Sequence, residues 1–410
     1  MTFASGLPAE TNGILPPYLV YFDTQFGSTI VNGMFMKYGP NGMAIFDDFQ
    51  ATNSFDLGAS AVVHVTSAVN LGGVPASCHA LRGRAAVSNG DLTIQSGGLI
   101  VGGAFQYWTA NLFFGENGTG NAYVHMDGHT DSAKANELRG AIHCQDFVKF
   151  GAQTDLRLTA SNAIAGKVEL QDGGLVAAHR YALGSDVDLE MGIGTRFDLK
   201  TGAATCEIGG LRSRGRATVR PNGTASETLV IHPAANTTNV FNGSLSNVNG
   251  ILGVTVAGAG RQVFNGASDY TGDTVVESGA TLLLGDDGVL GATEVSVAGG
   301  ATFGGTGSTA GALVLDDGAK LKLTPGTPLR VASLDAVTDA SVTIDVSENA
   351  SFSEGPVLTW SGAGPAAAPD FELVGAPSAS RGAYEAVFDA EARQVAVALV
   401  FPPATTIIVR

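Results

Sequence analysis

The chain has 410 residues, with 56 glycines, 44% hydrophobic and only 15% charged residues. So much Gly with so few charges excludes a protein built of solvated helices, and the hydrophobic share excludes wholesale disorder. A net charge of −16, from 38 acidic and 22 basic side chains, argues against a basic surface that would hold nucleic acid or anionic lipid.

Residues 1–53 read as an irregular lead, with Pro16-Pro17, the aromatics Tyr18, Tyr21, Phe22 and Phe26, and the turn Pro40-Asn41-Gly42. Such a lead is expected to cap the open end of a stacked β-structure, whose first strands would otherwise be exposed. Alternation begins at Ala59–Val65. It recurs in Asp91-Leu-Thr-Ile-Gln-Ser-Gly-Gly-Leu-Ile100 and in Lys167-Val-Glu-Leu-Gln-Asp-Gly-Gly-Leu-Val176. In each, every second residue is apolar and a Gly-centred turn follows. The stretch from Phe105 to Phe150 is less regular and reads as coils with protruding loops. Further on, Asp273–Glu277, Glu294–Ala298 and Ala312–Asp316 each run into a turn, with Gly279, Gly299 and Gly318 spaced 20 and 19 apart. That period is the mark of a β-solenoid, and roughly 250–300 residues at this spacing would give about 13–15 coils. Residues 54–325 are therefore expected to form the solenoid and 326–410, richer in Pro and Ala, to supply a β-rich terminal cap or last coils. The class is all-β.

Several residues could carry chemistry. His125, Asp127, His129 and Asp131 alternate and would share one strand face, as an acid–base or metal site or as a solvent-facing polar row. Asp47-Asp48, Asp286-Asp287 and Asp316-Asp317 are carboxylate pairs of the kind glycosidases use, though Asp before Gly makes turns. Phe105, Tyr107 and Trp108 could stack on a sugar or pack in the core. Arg212, Arg214, Arg216 and Arg220 form a one-sided stripe, either a contact for an anionic glycan or a face balancing neighbouring acids. Cys78, Cys144 and Cys206 are too widely spaced for a disulfide framework or zinc site and read as isolated buried thiols. Neither metal nor cofactor is expected. No signal peptide and no long apolar run is visible, so the chain is expected to be either a fragment of a longer exported protein, the favoured reading, or not exported.

One stretch, at about 239–323, resembles a known family. Asn239-Val-Phe-Asn-Gly243, Gly258-Ala-Gly260 and Phe264-Asn-Gly-Ala-Ser-Asp-Tyr-Thr-Gly-Asp-Thr274 resemble the autotransporter-associated β-strand repeat. Phe241, Gly243, Gly258, Gly260, Gly266, Tyr270, Thr271, Gly272, Thr274 and Gly279 match its pattern, while Gln262 and Phe264 stand where the family has Leu. The resemblance implies a right-handed parallel β-helix in a secreted or outer-membrane passenger region, with no catalytic residues in the repeat. The expectation is thus a monomeric structural or adhesive segment of a bacterial surface protein, facing a glycan or protein ligand. The rival expectations are a polysaccharide lyase or hydrolase on the same scaffold, and a trimeric phage-type fibre.

Overall fold

The computed structural model describes residues 7–24, 31–103, 106–127, 135–151, 155–202, 204–348 and 352–401. Nearly all of their regular structure is β, arranged as parallel stacked coils of a β-solenoid, about 13 in all. Helix among the described residues is limited to two short 3-10 turns, Gly58–Ser60 and Glu116–Gly118. The coils fall into two compact units, residues 1–229 with 248–250, and residues 230–247 with 251–410.

In the first unit, a nine-stranded sheet runs from Ala51–Thr52 through Val62–Val65, Ala80–Gly83, Gly98–Val101, Ala122–Met126, Phe147–Phe150, Lys167–Leu170 and Asp188–Met191 to Leu211–Ser213. A second sheet carries Ala76–Cys78, Asp91–Ile94, Asn111–Phe114, Ile142–Cys144 and Ala163–Ile164. A third runs from Tyr107–Trp108 to Thr218–Pro221. Residues 106–127 and 135–150 therefore supply in-register strands to all three sheets, as coils do, while residues 105 and 128–134 of the stretch expected to carry protruding loops lie outside the described residues. Register places like positions above one another, as in the buried column Leu81, Leu99, Val124. Each such aliphatic side chain withdrawn from water contributes roughly 1.5–3 kcal/mol. Cys78 and Cys144 face inward in the same sheet with Ile94 and Phe114 on the strands between them, so the thiols are apart and buried. Burial pushes the Cys144 thiol up to about 12, which leaves it protonated and inert.

The lead folds as an antiparallel meander, Val20–Thr24, Val31–Gly39 and Gly42–Ile45. Ala51–Thr52 sits at the edge of the nine-stranded sheet. Upstream of it, the meander lies on the outer side of that sheet. Ile14, Phe35 and Phe46 of the lead pack with Val62, Ala80 and Ile100 of the coils.

In the second unit, a seven-stranded sheet runs Thr238–Phe241, Arg261–Phe264, Thr281–Leu284, Thr302–Gly305, Lys320–Lys322, Ser341–Asp345 and Asp370–Val374. Its corner glycines are Gly279, Gly300 and Gly318, with φ of +85°, +80° and +77°. Gly300, not the expected Gly299, takes the corner, so the coils here differ in length by a few residues. The parallel strands Val289–Leu290, Ser308–Thr309, Leu329–Val331 and Gly355–Trp360 form another sheet, which ends in the antiparallel pair Gln394–Val400 and Ala383–Asp389. Phe388 of that pair stacks on Trp360 at 5.5 Å and reaches Phe371 at 6.4 Å.

Candidate functional site

The strand Ala122–Met126 does alternate, with Val124 and Met126 inward and His125 outward. The outward side is not open to solvent, because the lead covers it. His125 is 2% exposed and Asp127 is fully buried. The His125 Nε2–H donates to the Pro17 carbonyl at 2.8 Å, its ring stacks on Phe150 at 4.6 Å, and Nδ1 has no hydrogen-bond partner among the described residues. Burial lowers its pKa to about 4, so the ring is neutral at pH 7. The Asp127 carboxylate accepts from Arg82 at 3.1 Å, lies 3.6 Å from Arg84, and its side chain sits against the backbone of Gly33. Burial raises its pKa, against the pull of the two arginines. His64 lies 3.4 Å from Arg82 and is held down to about 4, by burial first and by Arg82 and Arg84 after it. His125 and Asp127 thus fasten Pro17 and Gly33 of the lead to the coils. Gly98 leaves room for this, since a Cβ there would come 2.6 Å from Cβ of Pro17 and 3.1 Å from the Phe35 ring. His129 and Asp131 lie outside the described residues, as does Phe105. Among the described residues, no group of three His, Cys, Asp or Glu side chains is placed to hold a metal ion.

The repeat-like residues occupy structural positions. Phe241, Tyr270 and Thr274 are fully buried. Tyr270 Oη lies 2.6 Å from Thr274 Oγ1, which lies 2.8 Å from Thr293 Oγ1, and Thr293 donates to the Gly272 carbonyl at 2.6 Å. This chain of hydroxyls satisfies the polar atoms that Tyr and Thr bring into the core. Gly258, Gly260, Gly266 and Gly272 lie against the carbonyls of Pro233, Ala234, Gly243 and Leu252, where a Cβ would collide. Thr271 is exposed and accepts from Asn247 at 2.8 Å. Gln262 is completely buried in the inward column between Asn239 and Leu282, and its amide donates to the Asn239 carbonyl at 3.2 Å. The position is a core position, filled by an amide that finds a backbone acceptor.

Several of the other candidates are likewise engaged within their own unit, while Arg216, Asp48, Asp287 and Asp316 are exposed. Arg212 pairs with Asp188 at 2.9 Å, Arg214 with Glu190 at 2.7 Å, and Arg220 with the buried Asp198 at 2.9 Å. Asp286 accepts from Thr306 at 2.6 Å, Asp317 from the Ser341 N–H at 2.9 Å, and Asp47 pairs with Lys37 at 2.6 Å. Trp108 is a core residue, whereas Tyr107 is 41% exposed with the Arg139 guanidinium 4.0 Å over its ring.

Sequence reading missed Lys149, which takes an inward position between Val124 and Leu170 and is fully buried. The run Phe147-Val-Lys-Phe150 has apolar residues on both parities, so alternation does not show which side faces in. It also missed the partners Pro17 and Gly33, for which no local pattern exists. No protein-family model, curated protein or solved structure matches this chain.

Proposed function

We propose that the chain is a non-catalytic β-solenoid segment of an exported bacterial surface protein, serving as a structural or adhesive stalk. The observation that supports this is where the reactive-looking side chains are used. His125 and Asp127 fasten the lead, Arg212, Arg214 and Arg220 are bonded to neighbouring carboxylates, and Asp286 and Asp317 join turns to neighbouring coils. The repeat-like residues from Phe241 to Gly279 add the resemblance to passenger regions and, with it, the surface location. Rigid parallel coils suit a role in which the protein carries load or presents a face to a ligand.

Incubation with acidic and neutral polysaccharides is expected to yield no new reducing ends or unsaturated sugars, while the immobilised chain retains a surface glycan or protein. Turnover by the purified wild-type chain overturns the reading. Antibodies to the chain should label intact cells of the source organism, and light scattering should give a monomer, where a detergent-resistant trimer would favour a fibre.

A further inference from the structure

In the stripe that looked suited to an anion, Arg212, Arg214 and Arg220 are spent on carboxylates, and Arg330 lies outside that stripe. In the second unit Lys322 sits 3.1 Å from Asp345 and 3.0 Å from Glu348, and Arg261 sits 2.9 Å from Glu348. Arg330 is exposed, and its side chain has no ion pair or hydrogen bond among the described residues. It projects from Leu329–Val331 at the rim of a groove of about 460 Å³, within the roughly 300–1,000 Å³ of small-ligand sites.

The groove sets apolar carbon beside hydroxyls. Ala310, Val331 and Ala332 line it together with Thr359 and Ser361. Register places Ser308, Arg330, Thr359 and Gln394 in one outward column across four strands. That column has one cation, three neutral hydrogen-bonding groups and no carboxylate, on a chain carrying 38 acidic residues.

We infer that this groove binds a carboxylated saccharide, a uronic-acid oligosaccharide, with the carboxylate on Arg330. The guanidinium fork matches a planar carboxylate with two parallel N–H···O bonds. The hydroxyls of Thr359 and Ser361, which line the groove, answer the sugar hydroxyls, and Ala310 and Ala332 take the apolar side of a ring. The inference rests on the adhesive reading and names the ligand class for it.

The test is titration of the whole chain with trigalacturonate, using isothermal calorimetry, for wild type, Arg330→Gln and Arg330→Lys. Binding should weaken about tenfold or more in Arg330→Gln, the effect of losing a charge-assisted contact. It should be partly kept in Arg330→Lys, fall with added salt, and be at least about tenfold weaker for the neutral galactose trisaccharide. Arg330 has no partner to lose among the described residues, so Arg330→Gln should melt with wild type. Absence of wild-type binding, or equal binding by Arg330→Gln, overturns the inference. If the chain still retains a neutral glycan or a cell surface through other residues, adhesion survives and this site does not. If it retains nothing, both fall.

Discussion

Lys149 shows what a single misplaced charge does to a solenoid core. Its Nζ donates to the carbonyls of Gly151 and Asp172, each at 2.7 Å, and burial lowers its pKa to about 8 from an ordinary 10.5. Between those two values the unfolded chain holds a proton that the folded chain has released. Stability contributed by this group therefore rises with pH from about 8 to about 10.5 and is level below 8, by at most about 3 kcal/mol. Thermal melting across that range should show the rise in wild type and not in Lys149→Met; identical profiles would refute the assignment. Tyr270 makes a second residue-level case. Tyr270→Phe keeps the volume but removes the hydroxyl bonded to Thr274, so a loss of about 1–3 kcal/mol is expected. Urea unfolding with an unchanged m value checks it, and a midpoint equal to wild type would mean the hydroxyl chain adds nothing.

At the level of elements, the paired glycines turn out to divide their work. Gly97 and Gly173 adopt φ of +82° and +70° and make the corner. Gly98 clears Pro17, and Gly174 clears the carboxylate of Asp155 where it pairs with Arg196. The sequence motif shows the corner, because turn chemistry is local. It cannot show the second role, because the residue being cleared comes from another coil or from the lead. The antiparallel hairpin Ala383–Val400 is the element that ends the parallel pairing, and it covers the edge of Gly355–Trp360. A chain stopped at residue 376 should expose that edge and the Trp360 ring. It should self-associate in size-exclusion chromatography where the full chain does not. A truncated chain that stays monomeric would show that the hairpin is dispensable as a guard.

For the molecule as a whole, what could be read from the sequence was set by periodicity. Asp91–Ile94, Lys167–Leu170 and Thr281–Leu284 were legible as strands because one face of each is buried and the other wet. The stretch around Asn136–Leu138 and Phe147–Phe150 was not, because outward positions there are also buried and the alternation disappears. The surroundings of the polar cluster were illegible for a related reason. His125 and Asp127 looked like an open face, and nothing local records that the lead returns to cover them.

That return has a consequence for how the chain acquires its structure. The bond from His125 to the Pro17 carbonyl spans 108 residues, whereas successive coils pair with segments about 20 residues on. Local pairings form early because their loops are cheap to close, and distant ones wait. A chain emerging from its N-terminus therefore presents the lead long before the strand that holds it exists. The lead settles only after the coils up to His125 and Asp127 have assembled and Pro17 and Gly33 meet their partners.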